Sequence, residues 1–251
     1  MSAALFSVFF HNYYGDHEAW VKLFTQQIRQ PFILYYNIVE DSVYNIGDDQ
    51  PLVSRLRESI SGSFLKDIVL RRSPNQGKDI GGKLVLLDAC LHEALPTPFS
   101  IFLHDKKSPY KIQGQQWKNR LFGIIEPDFI EKALSSFTRN DKLGIIAGSS
   151  DIRDEYDHSL KSFISTNRPQ LQQFQTTFHI NTTDYRYVAG TMFLARSSPL
   201  LDFFRKYPPL DIRKTLEKGN IMDETSGSNT HAWERMLCWL IFAQGYTIKG
   251  L

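Results

Sequence analysis

The sequence predicts an α/β fold: a mixed, mostly parallel sheet flanked by helices, with residues 1–251 forming a single domain. Three observations carry that expectation. Short β-rich runs alternate with helical patterns, as in sheets built from crossover units. A chain of 251 residues, 42% hydrophobic and 22% charged, is long and apolar enough to bury one large core. No internal repeat or low-complexity tract interrupts it.

The elements follow in order. "LFSVFF" (5–10) reads as a strand, and "GDHEAWVKLFTQQIRQ" as a helix in which Asp16 can cap and Trp20, Leu23, Phe24 and Ile28 share one face. The pair recurs as "FILYYNI" (32–38) with "PLVSRLRESI" (51–60), and as "DIVLRR" (67–72) with "GGKLVLLDACLHEAL" (81–95). Further strands are expected at "FSIFLH" (99–104), "LGIIAG" (143–148) and "YVAGTMFLAR" (187–196), then a helix near 230–243 capped by Thr230. Polar segments at about 149–186 and 208–230 exceed the usual loop length, which marks them as lids or binding loops. The ending "GYTIKGL" is strand-like and fits a domain cut from a longer protein.

Composition narrows the partners. A net charge of +2 gives no reason to expect nucleic acid, so any basic patch acts locally. Cys90 and Cys238 both fall in apolar helical segments, where a thiol packs as a small hydrophobe, which suits a reducing, cytoplasmic location. No apolar run approaches the ~18 residues of a membrane span, so no transmembrane segment is expected.

Candidate site residues cluster at strand ends, where open α/β sheets bind ligands. His11, Asn37, Asn75 and the group His104, Asp105, Lys106, Lys107 and Ser108 all fall there. In "SPNQGKDIGGK" (73–83), Gly77 permits a positive φ, Gly81 and Gly82 permit close approach, and Asp79 either caps the helix or accepts from a sugar hydroxyl. Lys106 and Lys107 are either solvated or brought together around an anion such as phosphate. Gly190 and Thr191 interrupt a β-run, a sign of close approach by ligand or backbone. Glu234 is either a dipole-complementing first-turn acid or a chemical group.

In this order, "NQGKDIGG", "FLHDKKSPY", "WKNRLFG", "LGIIAGS", "VAGTMFLAR" and "HAWERMLCWLIFAQGYTI" resemble the rhamnan synthesis protein F family across nearly the whole chain. The resemblance implies a GT-A-like, Rossmann-like glycosyltransferase domain that binds a nucleotide-sugar donor and extends a polysaccharide or glycan acceptor. Residues up to about 110 would bind the donor, and those from about 111 would bind the acceptor and carry catalysis. A 6-deoxyhexose such as L-rhamnose is the implied sugar. Fusion to further glycosyltransferase domains is compatible with it.

A second likeness, to inverting GT-A enzymes, sets "FLHDKK" on their metal-binding DXD motif, with His104 and Lys106 in the carboxylate positions. The expectation is therefore transfer without a required cofactor, with His104, Lys106 and Lys107 neutralising the diphosphate; the alternative is Mn²⁺ or Mg²⁺ held through Asp105. The same likeness makes Glu234 the general base and His231 its substitute on the same helical face. His11, Tyr13, Asn37, Asn75, Gly77, Lys78, Asp79, Ser108, Gly190 and Thr191 would complete the donor site, and Tyr14 would join Tyr13 at the base. Trp117, Arg120, Asp223 and Glu224 would hold the acceptor. The competing reading is a non-catalytic nucleotide-sugar or glycan-binding module; a hydrolase has no facing pair of acids to support it.

Overall fold

The computed structural model describes residues 3–45, 54, 56, 58, 64–93, 97–105, 122–220 and 226–251. The chain is α/β, and helices flank a seven-stranded sheet. Its first unit runs from β1 (Phe6–Asn12) through α1 (His17–Gln27) to β2 (Phe32–Val39) and β3 (Leu65–Ser73), followed by α2 (Lys78–His92) and β4 (Phe99–His104). Next come α3 (Pro127–Arg139), β5 (Leu143–Ala147) and the short strands β6 (Ile152–Asp154), β7 (Tyr156–Asp157) and β8 (Ser162–Phe163). The chain ends with α4 (Arg168–Thr177), β9 (Arg186–Val188), β10 (Phe193–Arg196), α5 (Ser197–Lys206), α6 (Pro209–Lys214), α7 (Asn229–Phe242) and β11 (Thr247–Gly250).

The sheet order is β11-β5-β10-β4-β1-β2-β3, so strands from both halves of the chain share one sheet. β10 runs antiparallel to both neighbours, and the other pairs are parallel. β1 and β2 are buried at every residue because helices cover both faces, which is why they read as unbroken apolar runs. Alternation still sorts their side chains: Phe6, Val8 and Phe10 join Trp20, Phe24 and Ile130 in one core, while Phe9, Tyr35 and Phe102 join Leu84, Leu87 and Trp233 in the other. Among the described residues β3 pairs only with β2, and it carries Lys66, Asp67, Arg71 and Arg72, charges that discourage further pairing at a sheet edge.

From β1 the chain winds outward through β2 to β3, then returns to the other side of β1 as β4. That reversal leaves a crevice at the carboxyl ends of β1 and β4, where His11 is in register with His104. Among the described residues, no helix is long and apolar enough to cross a membrane.

Several local expectations are corrected. Asp16 takes a left-handed conformation at the start of α1 and makes no side-chain cap. The cap of α7 is Ser228 rather than Thr230: its Oγ accepts from the His231 N–H at 3.2 Å. The single strand expected over 187–196 is two, because Gly190 (φ 82°) and Thr191 (φ 51°) turn the chain between β9 and β10. The segments read as loops contain β6 to β8, α4 and α6. Of the helix expected at 51–60, residues 54, 56 and 58 are described and helical, with Leu56 in the core.

The glycines of α2 admit protein rather than ligand. A Cβ on Gly82 would lie 1.8 Å from His11 Nδ1, and one on Gly81 would lie 1.7 Å from Gln76 O. Gly82→Ala should therefore destabilise the fold by about 3 kcal/mol or more, whereas Gly123→Ala, where a Cβ meets nothing within 4 Å, should be nearly neutral. Urea denaturation of both variants measures this, and equal stabilities would contradict the packing described.

Candidate functional site

A cavity of about 340 Å³ opens at the carboxyl end of β4. Four elements supply its walls: Lys78 and Asp79 from the first turn of α2, His104 from the end of β4, Gly190 and Thr191 from the turn before β10, and His231 and Glu234 from the first two turns of α7. Seven of the residues expected from the sequence thus meet in one place, although they span more than half the chain.

Lys83 organises this floor. Its side chain is fully buried, one turn beyond Asp79 on α2, and its Nζ donates to Asp79 Oδ2 at 2.9 Å and Thr191 O at 2.9 Å. It also meets Thr191 Oγ1, and lies 3.3 Å from His104 Nδ1. The Thr191 hydroxyl in turn donates to Asp79 Oδ2 at 2.6 Å. A β-branched residue at positive φ is costly, by about 1–3 kcal/mol. Thr191 holds that conformation because its hydroxyl and carbonyl are both bound by the pair beneath it.

The electrostatics follow from the geometry. Burial would raise the Asp79 carboxyl, but the Lys83 ammonium, then His104, and the Thr191 hydroxyl hold it well below the usual carboxylate range. Burial lowers Lys83 from its ordinary value, and Asp79 opposes that shift. The Asp79 side chain remains 24% exposed, so it can also accept from a ligand hydroxyl.

Glu234 is held rather than loose. Its Oε1 accepts the Gly190 N–H at 2.8 Å, and its Oε2 pairs with Arg235 Nη1 at 2.6 Å. Arg235 is itself buried, with Nε on Glu155 Oε2 at 2.8 Å and its guanidinium 4.2 Å from the ring centre of Tyr187. His231 is steadied through Nδ1, which lies 2.6 Å from Ser228 Oγ. Glu217 accepts from the N–H groups of Asn229 and Thr230, so α7 presents side chains to the cavity while these two helix-start amides are already bonded.

Other expected residues make contacts within the protein. His11 and Asn37 are buried; Asn37 Nδ2 lies 3.0 Å from His11 Nδ1 and Asn37 Oδ1 accepts from Ser73 Oγ, a polar chain across β1, β2 and β3 beneath α2. Asn75 and Gly77 join the turn to the segment after α6: Gly219 donates to Asn75 O, Gly77 donates to Glu217 O, and a Cβ on Gly77 would lie 2.3 Å from Leu216 Cδ1. Asp105 is buried and staples the loop after β1, accepting from the N–H groups of Tyr13 and Tyr14 at 2.6–3.0 Å.

Both Asp105 oxygens accept from these backbone amides, and among the described residues there is no group of three or more His, Cys, Asp or Glu that could hold a metal ion. Tyr13, Tyr14 and Tyr44 form an aromatic cluster beside Asp105, with ring centres 4.9 Å apart for Tyr13 and Tyr14 and 5.4 Å for Tyr14 and Tyr44. Lys106, Lys107, Ser108, Trp117, Arg120, Asp223 and Glu224 lie outside the described residues.

The sequence reading missed Lys83 and Arg235. For Lys83 a signal existed: a lone lysine within "GGKLVLLDAC", four residues after an acid, is a charge on a face otherwise made to be buried. Nothing in the sequence alone joins Arg235 to Glu155. No protein-family model matches the chain, and no curated protein matches it.

His11 gives this region a pH signature. Burial lowers its pKa from 6.5 to about 4, with Asp79 opposing and Lys83 and Arg213 adding to the fall. The unfolded chain therefore takes up this proton first, and stability should be lost as pH falls from 6.5 to about 4, by up to roughly 3 kcal/mol. Asp79, also depressed, withdraws its contribution only below the ordinary carboxylate pKa. Denaturation at stepped pH should show the first loss in the native protein and a flatter curve in His11→Gln; identical slopes would contradict the assignment.

Proposed function

We propose that the chain is a glycosyltransferase domain with a GT-A-like fold, moving a sugar from a nucleotide-sugar donor to a hydroxyl of a growing glycan. The convergence of Asp79, His104, Thr191, His231 and Glu234 in one cavity at the sheet's switch point is the observation that carries this reading. The sequence resemblance supplies the class of reaction.

The donor's parts find suitable surroundings. The first turn of α2 opens on the cavity, and the amides ahead of its first intrahelical bond, Gly81 N–H to Gly77 O, favour a diphosphate. In this proposal Lys106 and Lys107, which directly follow Asp105 in sequence, add charge as the leaving group departs. The Tyr13, Tyr14 and Tyr44 rings offer a stacking surface for the nucleotide base. Asp79 accepts from a sugar hydroxyl, and the apolar side chains of Ile80 and Ala189 suit the methyl group of a 6-deoxyhexose such as L-rhamnose.

Transfer then needs a base opposite the leaving group. The acceptor hydroxyl gives up its proton as its oxygen attacks the anomeric carbon; the carbon–oxygen bond to the diphosphate breaks, and its electron pair leaves with the phosphate. Configuration inverts. We assign the proton to His231 and a positioning role to Glu234, because both Glu234 oxygens already hold the Gly190 turn and Arg235.

His231→Asn should lower transfer about 100-fold or more while nucleotide-sugar affinity changes little, and Glu234→Gln should cost less. Product formation from a panel of nucleotide-sugars, L-rhamnosyl donors included, together with calorimetric donor binding, measures both. The reverse ranking returns the base role to Glu234, and donor binding with no transfer by the native protein supports the binding-module alternative. Transfer should also survive a chelator; a loss that Mn²⁺ restores would contradict charge neutralisation by side chains.

A further inference from the structure

A second, wider hollow lies at the other end of α7. His231 is in that helix's first turn and Phe242 is its last residue, so the two sites stand about 17 Å apart along the axis. Thr247, on the rim of the hollow, pairs with Leu143 at the start of β5, which places it by the amino ends of the strands, away from the cavity.

The hollow is a shallow one, widely open to solvent, with a volume of about 820 Å³. Gln172 and Gln175 of α4 line it together with Asn181, Asp184, Tyr185 and Tyr246, and with Thr176, Thr182, Thr183 and Thr247. None of the described residues lining it is Lys, Arg or His, so it offers no counter-charge to a phosphate or carboxylate. Its one acid is already engaged: Asp184 binds Arg186 Nε at 2.9 Å and Nη2 at 2.6 Å. An apolar ligand would leave the amides unmatched.

What remains is an uncharged molecule with an apolar face and many hydroxyls. Each side-chain amide offers a donor and an acceptor together, as adjacent sugar hydroxyls do. Both tyrosines are half-buried. Tyr185 packs on Tyr156 with ring centres at 4.9 Å and edge-on to Trp239 at 5.2 Å, and Tyr246 is seated where a Cβ on Gly144 would lie 2.6 Å from its own Cβ. Rings held in this way stack on a sugar's C–H face with little ordering cost. A smaller hollow of about 230 Å³ shares Gln172, Gln175 and Tyr185 with the first but is lined also by Lys161 and Arg168, so the uncharged chemistry belongs to the wider hollow alone.

We propose that the wider hollow is a groove forming a second, non-catalytic binding site for a neutral oligosaccharide, holding a stretch of glycan away from the reacting end. Its chemistry stands without the transfer reaction, so groove binding in a protein that transfers nothing counts against the proposed function and not against this site.

The test titrates the full chain with short neutral oligomers of glucose, galactose, mannose, N-acetylglucosamine and rhamnose. At least one should bind, with an affinity that added salt does not reduce. Gln172→Ala and Asn181→Ala, both at exposed positions where folding is safe, should each weaken it about three- to tenfold, and Tyr246→Ala roughly tenfold or more. His231→Asn should leave it unchanged. The proposal is overturned if no oligomer binds, if the two surface variants bind like the native protein, or if His231→Asn removes binding and so places the glycan in the cavity.

Discussion

The ammonium of Lys83 touches three parts of the chain: the start of α2 through Asp79, the end of β4 through His104, and the turn before β10 through Thr191. Taking an ammonium wholly out of water costs several kcal/mol, and that cost is offset only when partners surround it. Here they do: a carboxylate, a carbonyl, a hydroxyl and an imidazole. The partners in turn are constrained by the charge. Asp79 stays ionised, Thr191 keeps a left-handed backbone it would otherwise leave, and β10 enters the sheet antiparallel beside β4. The cavity floor is a consequence of that arrangement.

A second charged knot fixes the opposite wall. Arg235 joins Glu234, Glu155 and Tyr187, while Glu234 reaches across to the Gly190 amide. The turn at 189–192 is therefore gripped from below by Lys83 and from the side by Glu234. Gly190 takes its positive φ at no steric cost, whereas Thr191 holds one only because hydrogen bonds over-determine it. Such pre-organisation is what a site needs to present donors and acceptors at fixed positions.

Much of this was legible in the sequence, and the misses have physical reasons. Buried parallel strands announce themselves as apolar runs, and "FSIFLH" begins and ends where β4 does. Asp79, His104, Thr191, His231 and Glu234 were all reached from turn chemistry, strand ends or resemblance. α3 and α5 were passed over although Ile130, Ala133 and Phe137 carry a helical spacing behind Pro127. His11, Asn37, Asn75 and Gly77 were read as ligand contacts because polar groups at strand ends serve ligands and core alike; only packing reveals that Gly82 sits on His11 and Leu216 on Gly77. Asp105 looked available for the same reason, yet two amides from the loop after β1 lie against it. Contacts such as Arg235 with Glu155, 80 positions apart, leave no local pattern to read.

The claim that a buried ion pair builds the cavity is tested most directly by a double-mutant cycle on Lys83→Met and Asp79→Asn, followed by equilibrium denaturation. Each single change strands a buried partner and should cost about 3–5 kcal/mol, while the double variant should recover about 2 kcal/mol or more relative to the sum. Costs that add to within about 0.5 kcal/mol would show that the two groups act independently, and would contradict the account.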